Sequence, residues 1–261
     1  MGGGVHIIDI HCHLSFAHYD RDRDRVIEDA RKALEAVVTS GVEPEDAKKA
    51  LEIAREHDFI HVTLGLHPIH VDELSSAEIE RYEEFISEHR REIIGIGEIG
   101  LDYHWVKDPM KVRRMREVFT EFVELAKDLR KPVILHLRGE TSSSTEALEE
   151  GLKIVVDEDI SHAVFHCFTG KPAIAERICE EGYLISLPAT IRRSKTMKTV
   201  AKKIPLSHIL TETDAPYLSP VGEERNVPQN VRFAYEEIAK VRKMRVEDVD
   251  SAIMKNFSEF F

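Results

Sequence analysis

Eight short apolar runs, separated mostly by amphipathic stretches of helix length, narrow the folds open to this chain more than any other feature. The runs are Val5–Ile10, Ala36–Thr39, Ile60–Leu64, Ile93–Ile96, Pro132–Leu135, Ala163–Phe165, Tyr183–Ser186 and Ile209–Thr211. Between them the periodicity is helical. Val112, Met115, Phe119, Phe122, Leu125 and Leu129 recur at helical spacing with Lys, Arg and Glu between. Leu51, Ile53 and Ala54 follow Pro44, and Ile174, Ile178 and Cys179 follow Pro172, each proline marking a helix start. Eight strand–helix units predict an α/β fold closed into a parallel (β/α)8 barrel, a single domain over residues 1–261; such a barrel takes about 250 residues. The competitor is a doubly wound open sheet, which usually carries a Gly-rich phosphate turn after its first strand. Here that stretch, Ile8 to Leu14, reads IDIHCHL, which favours the barrel.

Hydrophobic residues make up 42% of the chain, enough for a large core. No window approaches the roughly 18 apolar residues of a membrane span. The opening Met1-Gly2-Gly3-Gly4 has no basic region and does not read as a signal peptide; the glycines receive no fold role. His6 breaks the myristoylation pattern. Cys12, Cys167 and Cys179 are too few and scattered for a disulfide framework, so a reducing, cytoplasmic setting is the simplest reading. A net charge of −12 argues against a broad nucleic-acid footprint. It leaves a nucleic-acid substrate open, because bound cations change the local charge.

Side chains alternate along a strand, so His11 and His13 share a side with Asp9, and Cys12 points away. Two imidazoles so placed either grip one divalent ion or are hydrogen-bonded strand histidines. Four more residues decide between these readings. Glu98 falls just past the fourth run, His136 ends the fifth, His166 ends the sixth and Asp214 falls just past the eighth. In a parallel barrel all those ends converge on the face that carries the chemistry. Four histidines and two carboxylates repeating this placement point to a metal centre.

Six segments then resemble the TatD-like metal-dependent deoxyribonucleases of the amidohydrolase superfamily: DIHCHL at Asp9, GLHPIH at Gly65, GEIGLDYH at Gly97, PVILHLR at Pro132, HCFTG at His166 and ETDAPYLSP at Glu212. They cover nearly the whole chain in the family's order. The resemblance implies a TIM-type barrel with two divalent ions. His11, His13 and Asp214 would bind one, His136 and His166 the other, and Glu98 would bridge both. The chain departs from the family at Ser15, where many members have Asp, at Met115, where Gln is common, in ISLPAT and around Arg225 to Pro228. None of these removes a proposed ligand; they leave substrate preference open.

Such a site is expected to cleave phosphodiester bonds of DNA with a metal-activated water, the ions clamping the phosphoryl group. Asp214 and Glu98 are the catalytic candidates, with Asp214 as base or plain ligand. The ions are Zn, Mn, Fe or Mg. Glu212 and Asp9 either orient ligands from behind or are ordinary buried carboxylates. His67 and Arg138 are candidate phosphate contacts, rivalled by a solvated loop histidine and a structural ion pair. Trp105 either stacks on a base or packs. Cys12 and Cys167 are expected to face packing, away from the metals. The basic run from Ile191 to Lys203 is either a phosphate guide or a solvated helix face. Two rivals stand beside the nuclease. One is an ester or amide hydrolase on the same barrel, acting for example on an aminoacyl-tRNA ester or a lactone. The other is a non-catalytic metal-binding protein. Expected partners are DNA or another phosphodiester and no membrane; the oligomeric state is left open, with a monomer compatible.

Overall fold

The computed structural model describes residues 6–141 and 144–261. The glycine triplet and Val5 of the first expected strand lie outside the described residues. Eight parallel strands follow chain order around one sheet: β1 Ile8–Cys12, β2 Ala36–Gly41, β3 Ile60–Leu64, β4 Gly95–Asp102, β5 Val133–Arg138, β6 Ala163–Phe165, β7 Leu184–Pro188 and β8 Ile209–Glu212. The ring closes where β1 meets the chain just past β8. Asp214 N donates to His11 O at 3.0 Å and His13 N to Ala215 O at 2.7 Å. All eight expected strands are present. Six run further than expected: β1 to Cys12, β2 to Gly41, β4 to Asp102, β5 to Arg138, β7 to Pro188 and β8 to Glu212. Apolar runs mark only the part of a strand buried in the core. The extensions are where strands enter the site.

Helices α1 Arg23–Ala33, α2 Pro44–Glu56, α3 Ser76–Glu88, α4 Pro109–Leu129, α5 Glu146–Asp157, α6 Pro172–Glu180, α7 Lys195–Lys203, α8 Arg232–Arg242 and α9 Val246–Phe260 complete the description. Proline opens α2, α4 and α6, where its missing N–H costs nothing and its φ is already helical. Asp108 caps α4 by accepting from Met110 N and Lys111 N at 2.9 and 3.2 Å. A capping box between Ser75 and Glu78 starts α3. The apolar stripe read in α4 buries Met115, Phe119 and Phe122, with Val118 and Val123 beside them. At the end of the barrel away from the strand carboxyl termini, Asn256 Nδ2 donates to the carbonyls of Leu206 and Ile209, both at 2.8 Å, and fixes α9 to the entry of β8. No helix among the described residues is long and apolar enough to cross a membrane.

One irregularity positions the site. The register of β4 against β5 shifts between Ile96 and Ile99. Gly100 follows directly after it, paired with His136 at φ 148°, and a Cβ on it would lie 2.0 Å from His136 O. Only glycine lets the two backbones approach so closely.

Phe122 is fully buried. Phe122→Ala is expected to destabilise the fold by about 3–5 kcal/mol, read as a lowered urea midpoint with unchanged slope.

Candidate metal centre

Glu98 stands at the middle of the carboxyl-end face, 3% exposed, with its two oxygens turned to different neighbours. Oε2 lies 3.5 Å from His11 Nε2 and 3.7 Å from His13 Nε2. Oε1 lies 2.8 Å from both His136 Nδ1 and His166 Nε2. Asp214 Oδ1 completes the first group, 3.4 Å from His13 Nε2 and 3.8 Å from His11 Nε2. All six side chains singled out in the sequence therefore meet at one mouth of the barrel. Their donor atoms, with His67 as a seventh residue, form overlapping sets of three within reach of one another: His11, His13 and Asp214; His11, Glu98 and His166; His67, Glu98 and His136.

The atoms behind the rings decide which nitrogen faces inward. His13 Nδ1 lies 3.4 Å from the Ser40 carbonyl, His166 Nδ1 3.3 Å from Glu212 Oε2, and His136 Nε2 3.0 Å from Asp102 Oδ2. Each of these oxygens accepts, so each ring commits an N–H outward and turns its other nitrogen toward Glu98. A nitrogen lone pair 2.8 Å from a carboxylate oxygen needs a positive charge between them, a proton or a metal cation. Imidazoles with carboxylates are a donor set suited to Zn, Mn or Fe. Electrostatics agree. Burial pulls His13, His136 and His166 down, but the carboxylates at Asp214, Asp102, Glu212 and Glu98 outweigh it and leave all three above the ordinary histidine value. Burial would raise the Glu98 acid, yet the surrounding imidazoles of His166, His67 and His11 hold it well below its usual range.

The sequence profile of the TatD related DNase family matches residues 8–261. The chain belongs to this family. It is 36% identical to an uncharacterized metal-dependent hydrolase of Methanocaldococcus jannaschii, across 98% of this chain and 97% of that one. It is 30% identical to the human deoxyribonuclease TATDN3, across 99% of this chain and 95% of the relative. Among solved structures, the Escherichia coli TatD homologue YjjV superposes with a TM-score of 0.87 at 27% identity, covering 98% of this chain and 97% of that one.

Against this TatD-type site the remaining expectations divide. Glu212 reaches His166 and also accepts from Ser186 Oγ at 2.5 Å, with no Arg or Lys partner among the described residues. Asp9 touches no ligand ring. Its carboxylate accepts from His11 N at 3.3 Å, Thr213 N at 2.9 Å and Thr213 Oγ1 at 2.5 Å, clasping β1 to the end of β8. His67 is drawn closer to the centre than a loop histidine would be, with Nε2 3.7 Å from Glu98 Oε1. Its Nδ1 accepts from Ile69 N at 3.2 Å, which leaves the ring proton on Nε2, facing inward. Burial, with His136 beside it, pushes the ring down to about 3, so it stays neutral. Arg138 is exposed and lies 5.8 Å over the Trp105 ring, with no ion pair among the described residues, though its charge helps hold the Asp102 acid down.

Cys12 packs outward as expected, its thiol against Val38 O at 3.5 Å. Cys167 does not follow the alternation rule. It lies past the end of β6 at φ 48°, where strand geometry no longer applies, and the Glu212, Asp214 and Glu98 carboxylates bear on its thiol. Burial first and then those charges push the thiol well up, so it is no nucleophile. The basic run splits: Lys198 and Lys203 pair with Glu237 and Glu176, while Arg192 lies 4.7 Å over Phe233 and Arg193 donates to Pro220 O at 2.7 Å. Tyr103 turns away to Glu150 and Arg116. Sequence reasoning missed Asp102 and Ser40. Asp102 is four residues after Glu98 on the same strand, a signal that the extended β4 makes visible. Ser40 lies 3.2 Å from His11 Nδ1 through its hydroxyl.

Removing the outward acceptors is expected to weaken metal binding without abolishing it. Asp102→Asn and Glu212→Gln should each lower affinity about 10–100-fold by titration calorimetry, with the fold retained by circular dichroism.

Proposed function

We propose that this chain is a metal-dependent hydrolase of DNA phosphodiester bonds, a single domain working with two divalent ions. His11, His13 and Asp214 would hold one ion and His136 and His166 the other, with Glu98 turned to both groups. The observation that carries the reading is the division of Glu98, with Oε2 toward one pair of imidazoles and Oε1 toward the other. When bound there, a pair of divalent ions supplies Lewis acidity to phosphoryl oxygens and lets water lose a proton near neutral pH.

The chain's own groups do the rest. Burial would raise the Asp214 acid, but the His13 contact and the neighbouring imidazoles hold it below its ordinary value, so it is ionised at neutral pH. At 17% exposure its side chain is more open than Glu98, and it is the group placed to accept a proton from an attacking water. His67 offers a neutral N–H and Arg138 a guanidinium with no ion pair among the described residues, two donors for phosphate oxygens. The free cysteines fit a reducing compartment, the cytoplasm in this reading.

The test is incubation of the manganese-loaded protein with end-labelled single- and double-stranded DNA beside simple esters. DNA fragments support the proposal; turnover of esters alone would give the acyl-hydrolase reading instead. Asp214→Asn is expected to lose about 10²–10⁴-fold in turnover, with metal content measured alongside. Normal turnover with both ions retained would remove its role as base.

Metal uptake should also fall with pH. Protons on His13, His136 and His166 occupy the nitrogens that an ion requires, and their raised values mean that they compete near neutrality. Manganese affinity is expected to drop from about pH 8 to about pH 6, with proton release on binding seen as a buffer-dependent heat.

A further inference from the structure

The mouth of the barrel carries an apolar surface that the metal centre does not use. Ile69, Trp105, Met110, Tyr217, Leu218 and Val221 are large apolar side chains more than a third exposed, and all six lie in segments that follow β3, β4 and β8. Among the described residues only Val156 and Met244 are comparably exposed elsewhere. A scattered exposed side chain means little, but a concentration at one face marks a contact surface.

Two aromatic side chains dominate it, and each is tied to a carboxylate residue three positions earlier. Asp102 Oδ1 accepts from Trp105 N at 2.9 Å while Oδ2 faces His136. The Asp214 carbonyl accepts from Tyr217 N at 2.9 Å while its carboxylate faces His13. In an eight-strand ring β4 and β8 are four strands apart, so Trp105 and Tyr217 stand on opposite sides of the mouth. Trp105 is 66% exposed with Arg138 over its ring, and Tyr217 is 47% exposed. Tyr217 meets His18 and Phe16 edge-on at 5.5 and 6.2 Å, and Phe16 stacks on His13 at 4.5 Å.

We infer that these two walls are nucleobase-stacking subsites, one on each side of the scissile phosphate. The inference rests on the phosphodiesterase reading above and adds the residues that hold the bases flanking the cleaved bond, Trp105 on one side and Tyr217 on the other. A base can lay its face on an aromatic ring only when it has left its duplex stack. Charge points the same way. A chain of net charge −12 gains little from tracking a phosphate backbone, whereas stacking on a neutral base face does not depend on net charge.

Trp105 is the only tryptophan, so its fluorescence reports one wall directly. The zinc-loaded protein is mixed in a stopped-flow instrument with a thymidine octamer or with an octamer of abasic residues. The thymidine octamer is expected to quench Trp105 and to bind about tenfold or more tighter than the abasic one. Tyr217→Ala should lower thymidine-octamer affinity about tenfold and leave abasic-octamer affinity unchanged, which a merely structural role would not do. With manganese, a single abasic residue on one flank of the cleaved bond should slow cleavage by the wild type. Trp105→Ala should erase that penalty on one flank only, and Tyr217→Ala on the other. Equal quenching and affinity for the two octamers would overturn the inference. So would self-association of the protein that both aromatic-to-alanine variants abolish, with no binding of either octamer. Quenching without any cleavage would sink the hydrolase reading and spare the stacking walls; cleavage of both octamers at equal rates would do the reverse.

Discussion

A buried carboxylate with no cation beside it is too costly to keep, and Glu98 is such a carboxylate at the centre of the barrel mouth. It is bearable only because imidazoles from β1, β5 and the segments after β3 and β6 crowd around it. The backbone is shaped to that end. The register of β4 slips against β5 at this point, and glycine at position 100 lets β4 lie against the His136 carbonyl. A side chain there would push β5 away and carry His136 off the Glu98 oxygen. The closure of the ring serves the same group. Asp9 holds Thr213 and the His11 backbone together, which brings Asp214 beside the two histidines of β1 although more than 200 residues separate them in sequence.

Much of this was legible in the residues because two simple rules apply to a parallel barrel. Short apolar runs mark the buried stretch of each strand, and strand ends converge. His11, His13, Glu98, His136, His166 and Asp214 could be picked out because each interrupts or ends such a run with a group that binds cations. The same rules explain what stayed hidden. An apolar run stops where its strand turns polar, so the runs of β4 and β5 end before Asp102 and Arg138. Asp102 was overlooked for that reason, although it shares a strand side with Glu98. Ser40 was invisible because a serine at a strand end carries no signal until the ring nitrogen it faces is known. Cys167 was placed by alternation, and alternation stops where φ turns positive.

Division of labour among the histidines depends on outward partners more than on the rings themselves. Imidazole is the same group at positions 13, 136, 166 and 67, yet its role is set by what lies behind it. An acceptor behind the ring, the Ser40 carbonyl, Asp102 or Glu212, takes the N–H and aims a lone pair inward. A donor behind the ring, the Ile69 amide, takes the lone pair and aims an N–H inward. The first arrangement suits a cation and the second an anion. One residue type thus lines both halves of a surface that has to meet metal and phosphate together.

That logic also accounts for how an acidic chain can face an anionic substrate. The net charge of −12 is spread over the whole chain, and bound cations, or protons on His13, His136 and His166, change its sign locally at the mouth. Arg138 stands at the end of β5 with no ion pair among the described residues, while Lys198 and Lys203 of the basic run pair with Glu237 and Glu176. Part of the basic run is therefore neutralised on helix faces, while Arg138 stays at a strand end beside the centre. The field that attracts the substrate is short-ranged, screened beyond about 10 Å in ordinary salt. It favours a ligand with one or two phosphates at the centre over a long duplex laid across an acidic flank.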